Sequence, residues 1–177
     1  MAKVNGKQKG NTFERWVANF LSDTFGEKFY RTAHSGAYTG KSNFYRRESM
    51  SEGTQKAFVG DIIAPDGYNV VVECKSYKEI PGGIKGLLDG KSTGLDEWLS
   101  EVTFDSGIEN PHLVFFKLNY MGTFVVVPQE IFKIKLDLTP HIIYIFKEKK
   151  YVVLSVNYFD RVKDEVRGVV QNGEKSK

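Results

Sequence analysis

The residues of this chain best suited to chemistry are Asp61, Glu73 and Lys75. Glu73, Cys74 and Lys75 follow Val70-Val71-Val72, a β-branched run that favours a strand. Side chains alternate along a strand, so Glu73 and Lys75 share one face and Cys74 takes the other. Upstream, Ile62-Ile63-Ala64 forms an apolar arm, and Pro65-Asp66-Gly67 is a turn in which proline presets φ and glycine accepts φ > 0. A hairpin folded at that turn brings Asp61 beside Glu73. Two carboxylates forced together repel each other unless a cation sits between them. Mg²⁺ is bound in this way, through one or two carboxylates completed by water and substrate phosphate. The plainer alternative is an ion pair of Lys75 with Glu73 or with Asp61. Against it, charge at the end of a core strand is costly unless it is paired or metal-bound.

These residues need elements to hold them. Phe13, Trp16, Val17, Phe20 and Leu21 repeat at helical spacing and predict an amphipathic helix from Asn11 or Thr12 to Gly26. Asn11 followed by Glu14 fits a capping box. Glu14 also shares an edge of the helix with Val17 and Leu21, so it borders the buried stripe and could face a site at the sheet. Phe29 to Thr32 predicts a short strand. The glycines between residues 82 and 94 read as a loop. Leu95, Trp98, Leu99 and Val102 predict the buried face of a second helix, which leaves Asp96, Glu97 and Glu101 as its solvated face. Strands follow over residues 112–118, 122–127, 141–146 and 151–156, with one helical turn over 129–134 and a short helix from about Phe159. Helix, strands, helix, strands is the order of an α/β fold, a mixed β-sheet flanked by helices.

A chain of 177 residues, 41% hydrophobic, is most simply one domain spanning 1–177. Within it, residues 1–10 read as a mobile basic arm, 32–59 as a long basic loop and 171–177 as a disordered tail. No apolar run approaches the length of a membrane span, and no apolar stretch follows the basic N-terminus as in a signal peptide. The single cysteine excludes an intramolecular disulfide and a cysteine-rich zinc site, and the expectation is a cytoplasmic protein. Charge is unevenly spread: residues 1–59 hold 10 Lys/Arg against 5 Asp/Glu, and residues 60–177 hold 15 against 17. A localised basic region is the footprint of a polyanion partner, although a solvated arm would look the same. In the long loop Lys41, Arg46 and Arg47 alternate with Tyr38, Phe44 and Tyr45. Such side chains can hold phosphates and stack on unpaired bases, or belong to an ordinary surface loop.

Asp61 with Glu73-Cys74-Lys75 resembles the PD-(D/E)XK nuclease signature. Residues 9–15, Lys-Gly-Asn-Thr-Phe-Glu-Arg, resemble the first helix of the archaeal-type Holliday junction resolvases of that superfamily. The literal Pro65-Asp66 pair belongs to the turn, so the metal-binding aspartate is assigned to Asp61. The resemblance implies a restriction-endonuclease-like core. It also implies Mg²⁺ or Mn²⁺ held by Asp61, Glu73, the Cys74 carbonyl and Glu14, with Lys75 as the positively charged partner. His34-Ser35-Gly36 resembles the serine-bearing loop of the resolvases, which adds Ser35 to the catalytic set. DNA, in particular a four-way junction or other branched DNA, is the implied substrate, with Lys7, Lys9, Arg31, Lys41, Arg46 and Arg47 as its contacts. A homodimer with two sites is implied as well. Two alternatives stay open: a general or site-specific nuclease on the same scaffold, and a DNA-binding protein with an idle site.

Overall fold

The computed structural model describes residues 6–33, 59–91, 93–134 and 139–172, with the side chains of Lys7, Ile84, Thr93 and Asn172 outside that description. Helix α1 (Gly6–Phe25) leads to β1 (Tyr30–Arg31), β2 (Ile62–Ile63) and β3 (Val71–Tyr77). Helices α2 (Gly83–Leu88) and α3 (Thr93–Ser106) follow, then β4 (His112–Leu118), β5 (Gly122–Pro128) and the single turn α4 (Gln129–Phe132). Strands β6 (His141–Phe146) and β7 (Lys149–Ser155), a 3-10 helix (Val156–Arg161) and α5 (Lys163–Asn172) complete the order.

Five strands form one mixed sheet in the order β3-β4-β5-β7-β6. Only β3 and β4 run parallel, in a register from Val71 opposite His112 to Tyr77 opposite Leu118. Parallel neighbours need a crossover, and α2 with α3 supplies it. The central strands read as unbroken apolar runs because both faces are covered. Leu113 and Phe115 of β4 point into a core shared with α1, the 3-10 helix and α5. Val114, Phe116 and Leu118 point into a second core built on Leu95, Trp98, Leu99 and Val102 of α3. The predicted stripe of α3 is buried, and in α1 Phe13, Val17 and Leu21 are buried while Phe20 is half-buried and Trp16 is exposed; the expected sheet between helices is present.

The boundaries differ in instructive places. Helix α1 begins at Gly6, five residues before Asn11, so residues 6–10 are helical where a mobile arm is expected. Thr12 Oγ1 donates to Gln8 O at 2.8 Å, a bond made within a turn that is already helical. Glycine weakens such a turn, but Lys7, Gln8 and Lys9 are good helix formers, and extending a nucleated helix costs little. With Asn11 inside the helix, no capping box forms. The helix ends where expected: Gly26, at φ 76°, donates to Ser22 O at 2.8 Å. The glycine-rich stretch after β3 contains α2. Helix α5 reaches Asn172, past the point where disorder is expected, because Val166 and Val170 are buried and Arg167 Nη2 bonds Thr24 O of α1 at 3.0 Å.

The predicted hairpin forms only in part. Its turn is present, with Tyr68 N donating to Pro65 O at 3.1 Å and Gly67 at φ 85°. The first arm, however, pairs with β1 instead of β3, Arg31 lying opposite Ile62. Among the described residues no strand forms a ladder on the edge of β3 away from β4, and single residues of the first arm lean on it.

At the far end of the sheet His112 is fully buried, its Nδ1 2.7 Å from Asn110 O and its Nε2 3.2 Å from the Tyr151 hydroxyl. The carbonyl accepts from Nδ1–H, which leaves Nε2 to accept from the phenol. Burial, opposed by the Asn110 hydrogen bond, holds the imidazole below its ordinary value of 6.5. The unfolded chain therefore takes up this proton first as pH falls, and His112 supports the fold above 6.5 and loses that support below it. Urea denaturation from pH 7.5 to 5 is expected to show a smaller acid loss in His112→Gln than in the wild type. Parallel pH profiles would assign the acid loss to other groups.

Candidate active site

Asp61 is placed by its backbone before its side chain acts. Its N–H donates to Val72 O on the edge of β3 away from β4 at 2.8 Å, and its carbonyl accepts from Thr32 N at 2.9 Å. So close an approach needs the glycine before it. Gly60 has φ +69°, and a Cβ there would lie 2.7 Å from Val72 O. Gly67 also has a left-handed φ but nothing within 4 Å of its Cβ position. Alanine at either site carries backbone strain, whereas only Gly60→Ala also drives a carbon into a carbonyl. Gly60→Ala is expected to cost ~1–3 kcal/mol more than Gly67→Ala in chemical denaturation. Equal losses would show that the edge can move aside.

The Asp61 side chain then turns onto the same edge. Its Oδ2 accepts from Cys74 N at 2.8 Å, and the residue is only 8% exposed. In an extended strand a residue's N–H and C=O point the same way, so the Cys74 carbonyl belongs to this edge too. The Cys74 side chain packs with the α1 core, opposite Glu73 and Lys75. Burial, and after it the carboxylates of Asp61, Glu73 and Glu14, push its thiol well above the ordinary cysteine range. Thiolate chemistry is closed to it near neutral pH.

Glu73 and Lys75 lie on the α3 side of β3. Lys75 Nζ donates to Glu73 Oε1 at 2.7 Å and to Glu101 Oε2 of α3 at 2.6 Å. Burial first, then the neighbouring Asp61 charge, push Glu73 up to about 8 against the pull of Lys75. Burial alone would depress Lys75, but the carboxylates of Glu73 and Glu101 outweigh it and hold the ammonium above the usual lysine range. The anticipated Glu73–Lys75 ion pair is thus present, beside Asp61 and not in place of it.

Glu14 faces Arg31. Arg31 Nε meets Glu14 Oε2 at 2.5 Å and Nη2 meets Asn11 Oδ1 at 3.1 Å. The two side chains expected to cap α1 are therefore joined to the end of β1 instead. Arg31, expected on DNA, has its guanidinium engaged within the protein. Glu14 contributes to the field at Cys74 but is neutralised by Arg31. Lys9 is exposed on the first turns of α1. Ser35, Lys41, Arg46 and Arg47, and the side chain of Lys7, lie outside the described residues.

Sequence reasoning assigned Asp96 and Glu101 to a solvated helix face, and the structure corrects both. Asp96 accepts from the Tyr144 hydroxyl at 2.7 Å, which ties α3 to β6. Glu101 reaches Lys75. The signal was available: Glu101 lies one turn beyond Trp98, at the border of the buried stripe, the same placement that singled out Glu14.

Among the described residues, no group of three or more His, Cys, Asp or Glu side chains converges as a metal site. Glu14 is turned to Arg31 and Glu73 to Lys75. The donor set nevertheless suits a hard divalent cation. Asp61 and Glu73 are neighbouring oxygen donors at β3, and Glu73 with Glu101 presents two carboxylates to the Lys75 ammonium. Among the described residues no helix is long and apolar enough to cross a membrane.

No curated protein and no solved structure matches the chain. A family model does, the one described as "Phage putative PDDEXK endonuclease", over residues 5–170. The match takes in α1, the strand edge with Asp61, Glu73 and Lys75, the whole five-stranded sheet and most of α5. A mixed sheet between helices, with charged residues on the edge of β3, is the restriction-endonuclease-like architecture, and the chain belongs to this family of PDDEXK endonucleases.

Proposed function

We propose that this endonuclease is a divalent-metal-dependent deoxyribonuclease of branched DNA, of the Holliday junction-resolving type, acting in DNA recombination or repair as a homodimer. The observation that carries the chemistry is the strand edge on which Cys74 N–H holds Asp61 beside Glu73 and Lys75. The resemblance of residues 9–15 to the resolvases supports the branched substrate and the dimer.

In this reading Asp61, Glu73, the Cys74 carbonyl and Glu14 would hold Mg²⁺ or Mn²⁺, which when bound would supply Lewis-acid polarisation of the scissile phosphate and a more acidic water. The chain's own residues prepare that event. Cys74 N–H fixes one Asp61 oxygen and so aims the other. The Lys75 ammonium is held where negative charge builds as water adds to phosphorus and the P–O3′ bond breaks, leaving a 5′-phosphate and a 3′-hydroxyl. Ser35 and the basic residues Lys7, Lys9, Lys41, Arg46 and Arg47 are assigned to the DNA side of the site, and Arg31, held by Glu14 and Asn11, to the support of Glu14.

The test is cleavage of a four-way junction, a fork, linear duplex and single strand of matched sequence, with Mg²⁺, with Mn²⁺ and with chelator. Preferred, paired incision of the junction that chelator stops is the expected result. Equal cutting of linear duplex would move the protein to the general nucleases of the same chemistry. Undiminished cutting in chelator would remove the metal.

A further inference from the structure

The Lys75 ammonium is gripped from two elements at nearly equal distance, by Glu73 of its own strand at 2.7 Å and by Glu101 of α3 at 2.6 Å. The two carboxylates are not equivalent. Glu73 also stands beside Asp61, so in the proposed reaction it is claimed by the divalent cation as well as by the ammonium. Glu101 comes from a different element, a helix packed against the sheet through Trp98, Leu99 and Val102, and is the more exposed of the pair at 34% against 15%. A cation that draws Glu73 away leaves Lys75 with Glu101.

We infer that Glu101 is a positioning residue for the nuclease reaction: it retains Lys75 while Glu73 is handed from the ammonium to the divalent cation. This inference rests on the metal-dependent reading above. A lysine side chain has four rotatable bonds to freeze, so an ammonium with no second anchor does not stay at the reacting phosphate. Without Glu101, moreover, Lys75 has Glu73 as its single carboxylate of these two and competes harder with the incoming ion. One residue thereby governs both metal entry and the position of the lysine after entry.

The experiment is a double-mutant cycle of Glu101→Gln and Lys75→Ala, read by Mg²⁺ calorimetry on DNA-free protein and by steady-state cleavage. Glu101→Gln is expected to weaken Mg²⁺ binding ~3–10-fold and, at saturating Mg²⁺, to lower kcat ~10–100-fold with the KM for DNA within about twofold. In the Lys75→Ala background the same change is expected to move Mg²⁺ affinity less than about twofold, since there is no ammonium left to retain. An unaltered kcat and Mg²⁺ affinity in Glu101→Gln would overturn the inference, as would an equal loss of affinity in both backgrounds. A wild type that cleaves no DNA would overturn the nuclease reading instead, and the calorimetric cycle would still decide the role of Glu101. Should Glu101→Gln fail to fold, Glu101→Asp keeps the charge on a shorter arm and enters the same cycle, with a smaller loss expected in the Lys75 background.

Discussion

Glu73→Gln is expected to abolish cleavage, by at least ~10³-fold, and at the same time to make the metal-free protein more stable above neutral pH. The two effects have one origin. Burial and Asp61 make a negative charge at Glu73 unfavourable, and its carboxyl is pushed from 4.5 up to about 8. Below the unfolded value both states hold the proton and nothing is lost. Between the two values the unfolded chain releases it while the folded protein keeps it, so stability falls as pH rises and the full cost is present above about 8. Full linkage would be on the order of 5 kcal/mol. Relaxation around the shared ammonium reduces it, and ~2 kcal/mol, or ~4–8 °C in Tm, is expected at pH 8. Glutamine keeps an oxygen for Lys75 and removes the charge, so the variant avoids that cost while losing the ion. DNA binding is expected to be intact or tighter, because one negative charge facing the phosphates is gone. Melting curves with chelator at pH 5 and pH 8, beside a junction cleavage assay, check both halves. Wild-type cleavage in the variant would sink the assignment of Glu73, and a Tm that drops at pH 8 would show that the charge is held comfortably without metal.

How much of this site was legible depended on whether its contacts are local. Glu73, Cys74 and Lys75 are consecutive on one strand, and alternation alone gave their faces correctly, with Cys74 in the α1 core and the other two toward α3. The Pro65-Asp66-Gly67 turn is likewise a local matter, and it brings Asp61 back to β3 as expected. What alternation cannot show is which strand the first arm pairs with. Ile62 and Ile63 are apolar enough for either partner, and the choice of β1 is made by tertiary packing. The candidate site therefore lies on the edge of β3 away from β4 and not inside a hairpin of the two arms. Asn11 and Glu14 failed for a similar reason. Their spacing is that of a cap, but Arg31, 17 residues beyond Glu14, offers a charged partner that no helical pattern contains. Glu101 was hidden by composition: Asp96, Glu97 and Glu101 look like a solvated face until the sheet beneath places a lysine opposite one of them.

The removal of Lys75 should reverse the stability effect of Glu73→Gln while giving the same loss of activity. Lys75→Ala takes away the ammonium shared by Glu73 and Glu101 and leaves these carboxylates near Asp61. Removing one partner of a buried pair costs ~3–5 kcal/mol when the other must stay charged. Here the carboxylates have two ways out. Glu73 can keep its proton, because its carboxyl is pushed up to about 8 even with the ammonium beside it and further without it, and at any pH a divalent cation can replace the lysine. The variant should therefore fall below the wild type in chelator most clearly above pH 8, approach it at pH 5, and be restored by Mg²⁺ at high pH. Its Mg²⁺ affinity should be equal to the wild type's or higher, since the competing ammonium is gone. Cleavage should still fall ~10²–10³-fold at saturating Mg²⁺, the usual loss when one charge-stabilising donor is removed from a transition state. The combination separates two roles for this lysine. Tight Mg²⁺ binding without cleavage identifies a group that acts on the phosphate. Loss of Mg²⁺ affinity together with cleavage would instead make Lys75 the clamp that holds Glu73 in place, and the electrostatic role in the reaction would have to be sought in Arg31, whose guanidinium Glu14 now holds at the same edge of the fold.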